Sequence, residues 1–134
     1  MIKKNIDLGL LISRIAIGFH MSVYGVNKLI HGVGFIEDIM IMHGLPSFFA
    51  YGVFAGEIIA PIMLMLGFRT RLAGLIFAAN CFTAMVLAQT ANIFKPNDFG
   101  GWALELLVIY MLVGISFFFA GSGKYSVSTA NKWD

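Results

Sequence analysis

The chain is short of charge. Only 12% of its 134 residues are Asp, Glu, Lys or Arg, about half the usual share in a soluble domain. It holds one cysteine, Cys81, set in an apolar run. That excludes an internal disulfide, a dithiol redox centre and a thiolate cluster of its own. The three histidines, His20, His31 and His43, are scattered and match no zinc spacing, so no metal site is expected. Nine basic and seven acidic side chains are dispersed along the chain, which leaves no electrostatic footprint for nucleic acid. No flavin or iron–sulfur motif is present. In place of these stands apolar bulk: 59% of residues are hydrophobic, against about 45–50% in soluble domains. At this size the surface-to-volume ratio would force much of that bulk into water. The composition asks for a bilayer as solvent.

Length sets a single domain over residues 1–134. Four apolar segments, about 6–30, 47–68, 72–88 and 102–120, are each near the roughly 20 residues that cross a hydrocarbon core. The third is the shortest and has room to extend toward Asn92. Gly44-Leu-Pro46, Gly67-Phe-Arg-Thr-Arg71, Lys95-Pro96 and Gly121-Ser-Gly123 punctuate them. Backbone polar groups cannot go unpaired in lipid, so the expected fold is an all-α, four-transmembrane-helix bundle. The N-terminal stretch superficially resembles a signal peptide. Its apolar run is about twice the length of an h-region, contains Arg14 and lacks a clean cleavage site, so it reads as a retained first span.

Lys3, Lys4, Arg69, Arg71, Lys124 and Lys132 fall on one side of such a bundle. The opposite loops carry Lys28 and Lys95 beside Glu37, Asp38 and Asp98. The positive-inside rule then sets both termini in the cytoplasm. Between the first two spans, residues 31–45 combine Phe35, Ile36, Ile39, Met40 and Met42 with Glu37, Asp38 and His43. Two readings stand here: a short amphipathic helix at the outer interface, or an irregular loop packed on the bundle mouth.

Ionisable residues inside spans cost free energy and call for a partner or a purpose. Arg14 and Glu57 lie at depths of roughly 12 and 16 Å by helical rise, which predicts a charge pair in the inner half of the bundle, as much a register device as a functional one. His20, Tyr24 and Lys28 recur every fourth residue on the first span. They face the depth of Glu105, one turn below Trp102, and these five form the candidate ligand-binding group. Asp7 and Lys28, near span ends, can also snorkel. Only His20 of the histidines lies in a span, which argues against bis-histidine haem within one chain. Asn80 and Gln89 read as interhelical hydrogen-bonding residues. Gly9, Gly18, Gly25, Gly56 and Gly74 read as sites of close helix approach. Pro61, one turn after Glu57, is expected to kink the second span and free a carbonyl near that carboxylate.

These features together resemble the DoxX family of small bacterial membrane proteins, over Leu10 to Ser126. The carriers are Leu11-Ile-Ser-Arg14-Ile-Ala-Ile-Gly18, Tyr24-Gly-Val-Asn-Lys28-Leu, Gly44-Leu-Pro46 and Gly56-Glu57-Ile58. Leu66-Gly-Phe-Arg-Thr-Arg71-Leu, Gly100-Gly-Trp-Ala-Leu-Glu105-Leu-Leu and Gly121-Ser-Gly-Lys-Tyr-Ser126 complete the set. The chain departs from the family pattern at Tyr24, where histidine is common, and at Ser122, where proline is usual. The resemblance implies a bacterial inner-membrane protein and an association with quinone-linked or thiol-linked oxidoreductase systems. Arg14, Lys28, Glu57 and Glu105 map onto the family's polar positions.

The reading that results is a membrane subunit of a redox system that binds a quinone-like amphipathic molecule between its helices. Its expected partners are the lipid bilayer, redox partner subunits and further copies of itself. Without an electron-transfer motif of its own, it is not expected to act as an autonomous enzyme. The alternatives are a non-enzymatic structural or assembly subunit and, behind it, small-solute or proton passage.

Overall fold

The computed structural model describes residues 4–88, 94–96, 98, 100–102 and 104–134, the side chain of Ala88 excepted. Lys3, Gln89 and Asn92, named above, lie outside the described residues. The fold is all-helical, with a single isolated bridge between Pro96 and Trp102 and no named strand among the described residues. Helix α1 spans Ile6–His31 and α2 spans Gly34–Met42. A 3-10 segment at Ser47–Gly52, a π-helical turn at Ala55–Ile59 and α3 at Ala60–Leu66 follow end to end. Helices α4, Thr70–Ala88, and α5, Glu105–Ala120, complete the set.

Among the described residues, three helices are long and apolar enough to cross a membrane: Ile6–His31, Ser47–Leu66 and Thr70–Leu87. Helix α5 is as apolar, but its 16 residues rise about 24 Å, short of a roughly 30 Å hydrocarbon core. Residues 34–42 take the helical alternative, so the 31–45 connection is a helix framed by two glycines with positive φ, Gly32 and Gly44.

Local chemistry explains the boundaries. Asn5 caps α1, its side-chain oxygen accepting from the Leu8 N–H at 3.0 Å. Gly67 ends α3 in the left-handed region at φ 77°. Its N–H bonds the Leu64 carbonyl, and the Phe68 N–H reaches back to Met63, the double closure of a Schellman motif. Pro61 removes the N–H that an α-helix would aim at the Glu57 carbonyl. The chain absorbs that loss with the π turn, in which Ala60 N–H reaches Ala55. Pro61 therefore marks a change of helix type.

Among the described residues two hydrophobic clusters form. The larger joins Met21, Ala60, Leu64, Ala73, Phe77, Cys81 and Phe117 across α1, α3, α4 and α5. The smaller, Val33, Met40 and Ala50 with Ile36, Val53, Phe54 and Leu87, ties α2 to the start of the second span and the end of α4. Glycine permits a close crossing of α4 and α5: a Cβ on Gly74 would fall 2.5 Å from the Gly114 carbonyl, and one on Gly114 2.8 Å from that of Gly74.

At the opposite end, residues 121–134 fold back as a clasp. Val127 N–H bonds the Leu66 carbonyl, Arg71 N–H bonds Trp133, and Lys124 N–H bonds the Asp7 carboxylate. Asp7 therefore holds the tail in place of snorkelling. Arg69 pairs with Asp134 at 3.2 Å. The Asp134 carboxylate also accepts from the Ser128 hydroxyl and the Asn131 N–H. These donors, Ser128 first, pull its pKa from an ordinary 3.8 down to about 2.

Candidate functional site

The buried face of α1 carries Arg14, Gly18, Met21 and Gly25, a seam of alternating four- and three-residue steps. Lys28 continues it. Two close approaches fix how this seam meets the second span. A Cβ on Gly18 would lie 2.8 Å from the Pro61 carbonyl, and one on Gly25 would lie 2.5 Å from the Glu57 carbonyl. The carbonyl that Pro61 leaves without its helical donor is thus the one packed against Gly25.

That register decides the ion pairs. Lys28 Nζ lies 2.6 Å from both oxygens of Glu57, and the two side chains are 20% and 9% exposed. The expected Arg14–Glu57 pair does not form. Arg14 stands level with Leu64, seven residues beyond Glu57, or about 10 Å along a helix. It donates to the Leu64 carbonyl at 3.1 Å and to the Tyr125 carbonyl. The depth comparison failed because it set Ile6 and Phe68 at one level. In fact α1 runs past the end of α3, bringing Asp7 to the height of Lys124. Arg14 is fully buried against Gly67 and joins the end of α3 to the clasp. Its Nε and the Thr70 hydroxyl have no hydrogen-bond partner among the described residues.

The Lys28–Glu57 pair stands in the wall of a cavity of about 810 Å³. The cavity occupies the space between the two hydrophobic clusters. One wall is Met21, Tyr24 and Lys28 of α1. Another is Phe49 to Glu57 of the second span, with Ala50, Val53 and Gly56. Helix α4 supplies Ile76, Ala79, Asn80, Thr83 and Leu87, and α5 supplies Leu106, Leu107 and Tyr110. The roof is α2, through Phe35, Ile36, Ile39 and Met40. A second cavity of about 420 Å³, lined by Asn27, Lys28, His31, Gly32, Gly34 and Phe35, adjoins it at Lys28 and Phe35.

The expected group is therefore split. Tyr24 and Lys28 line the larger cavity, the Lys28 ammonium lying 6.0 Å from the Tyr24 ring centroid. His20, Trp102 and Glu105 are not among its lining residues. His20 is exposed on α1, its Nδ1 donating to the Ala16 carbonyl at 2.7 Å. Trp102 and Glu105 have interactions of their own. Glu57 joins Lys28 instead, and Asn80 and Tyr110 complete the polar edge. Gly56 brings Asn80 in: a Cβ there would lie 2.2 Å from the Asn80 Cβ. Tyr110 escaped the sequence reading, although a tyrosine inside an otherwise apolar span is itself a signal. The continuation of the Arg14–Gly25 seam to Lys28 was the missed signal for the Glu57 pair.

Long apolar helices, a compensated ion pair among them and a mostly apolar cavity beside that pair mark a small helical membrane-type protein. Residues 9–90 match the model of the DoxX family. Over 117 residues the chain is 30% identical to "Putative oxidoreductase CatD" of Bacillus subtilis (strain 168), covering 87% of each chain. The chain belongs to the DoxX family. No solved structure matches it.

Proposed function

We propose that this protein is a four-span inner-membrane component of a quinone- or thiol-linked redox system, and that its cavity holds a quinone-like amphipathic molecule. The observation that carries the reading is the cavity of about 810 Å³ with the Lys28–Glu57 pair in its wall. Small-molecule sites run to about 300–1,000 Å³, mostly apolar with a few convergent polar groups. Met21, Ile76, Leu107 and Phe35 suit a ring and an isoprenoid stem, and Lys28, Tyr24, Asn80 and Tyr110 suit ring oxygens. When bound, a quinone supplies reversible two-electron, two-proton chemistry. The chain's own part is to bind it, exclude water and orient it. Electrons would come from a partner protein. The relative described as an oxidoreductase agrees with that setting.

Residues flanking α5 would complete a fourth crossing, and the positive-inside rule would leave the clasp and both termini in the cytoplasm. The second reading, a structural or assembly subunit, draws on Arg14, whose partners are all backbone carbonyls of the clasp end.

The test is purification in gentle detergent, mass spectrometry of co-purifying small molecules, and titration with a short-chain ubiquinone. Saturable binding is expected, weakened at least tenfold in Lys28→Met and Asn80→Leu variants whose melting temperatures stay near wild type. Absence of saturable binding by the folded protein, or variants that change only stability, would leave the structural reading in its place.

A further inference from the structure

The charge arithmetic of the cavity wall carries a statement about which ligands it admits. Its titratable lining groups are Lys28, Glu57, Tyr24 and Tyr110. Both Glu57 oxygens are held at 2.6 Å by the one ammonium, so the two formal charges cancel in place. Arg14, fully buried, is at the clasp end with its guanidinium turned to carbonyls. His31 lines only the smaller adjoining cavity. Among the described residues of the lining, a ligand entering the larger cavity therefore meets dipoles and apolar walls but no uncompensated charge. A neutral oxygenated ring can accept from the ammonium's remaining N–H and from the Asn80 amide without breaking the pair. An anion would shed its hydration shell for a site whose cation is already taken.

The geometry points to Glu57 as a specificity-determining residue: by neutralising Lys28 it makes the cavity select uncharged amphiphiles and reject anionic ones of the same shape. This rests on the binding role proposed above and deepens it. Glu57 acts here through Lys28, and it sets ligand charge preference without being asked to move a proton.

The experiment uses the full chain in detergent or lipid nanodiscs at neutral pH, with two probes of nearly identical skeleton. These are 1,4-naphthoquinone, which is neutral, and 2-hydroxy-1,4-naphthoquinone, which is ionised at that pH. The wild type is expected to favour the neutral probe at least tenfold. Glu57→Gln strips the countercharge from Lys28 and should shift the anion-to-neutral ratio upward by at least tenfold. In Lys28→Gln the carboxylate is uncompensated, so a trimethylammonium-tagged naphthoquinone should gain at least tenfold over the neutral probe. The double variant, Lys28→Gln with Glu57→Gln, is again uncharged and should return to preferring the neutral probe. Because the variants leave opposite charges, failure of one to fold leaves the others to decide. Equal wild-type binding of both naphthoquinones, or ratios that do not follow the variants, overturns the inference while the binding role stands. Failure of both probes to bind the folded wild type overturns the binding role as well.

Discussion

Replacing Gly25 with alanine should loosen the site from behind. A Cβ at this position would lie 2.5 Å from the Glu57 carbonyl oxygen, 2.9 Å from its carbon and 2.5 Å from Ile58 Cγ1. Two of these atoms are backbone and cannot swing aside. Helix α1 and the second span must part by several tenths of an ångström, and overpacking of this kind costs about 1–3 kcal/mol. Alanine also favours a helix over glycine by roughly 1 kcal/mol, which masks part of the loss. A matched control removes that ambiguity. Gly9, on the same helix, has nothing within 4 Å of its added Cβ, so Gly9→Ala receives the helix benefit alone. Gly25→Ala should then lie about 1–3 kcal/mol below Gly9→Ala in stability. Reversible unfolding in mixed micelles, with titrated denaturing detergent, reads the difference directly. The same displacement moves the backbone that carries Glu57, so the naphthoquinone titration should weaken in Gly25→Ala and not in Gly9→Ala. Equal stabilities for the two variants would refute the close approach and, with it, the register that sets Lys28 beside Glu57.

Three further outcomes follow. Arg14→Met removes charge-assisted hydrogen bonds to the Leu64 and Tyr125 carbonyls, each worth about 1.5–3 kcal/mol. It should free the clasp, seen as faster proteolysis after residue 121 and a lower melting temperature; an unchanged digestion pattern would sink this assignment. The Asp134 carboxyl, lowered to about 2, contributes stability in full above its ordinary 3.8, and that contribution fades as pH falls through 2. The protection factors of the Arg69 and Asn131 amides, taken relative to the intrinsic exchange rate at each pH, should therefore fall between about pH 4 and 2 in wild type and not show that step in Asp134→Asn. Cys81, 1% exposed in the main core, should resist a maleimide in the folded protein and react on unfolding; rapid labelling under native conditions would contradict its burial.

The helices were legible in the sequence because bilayer thickness and apolar run length are strong constraints. The bounds expected for the first span and for the third differ from α1 and α4 by at most two residues at either end. Pairing across helices was less legible. Depth counted from each span's own boundary assumes a common membrane level, and α1 violates that by running past α3 to meet Lys124. Register instead resides in glycines: Gly18 against Pro61 and Gly25 against Glu57. Read as contacts and not merely as permissive small residues, they would have led to Lys28. The position of Glu105 and Trp102 outside the cavity lining had no comparable signal, because depth along the bundle does not say which side chains line a cavity.

The π turn at Ala55–Ile59 has a consequence for how such a cavity changes over time. A π turn is an α-helix carrying one surplus residue. Deleting a single residue within it would remove that surplus and swing the segment N-terminal to it by about 100° about the helix axis, with Pro61 still unable to donate to the carbonyl four residues before it. Ala50 and Val53 would leave the cavity wall together, while α3 and the clasp stayed in place. A one-codon deletion at this turn would therefore act as a discrete switch of cavity shape, reachable in one step where a series of substitutions would need several.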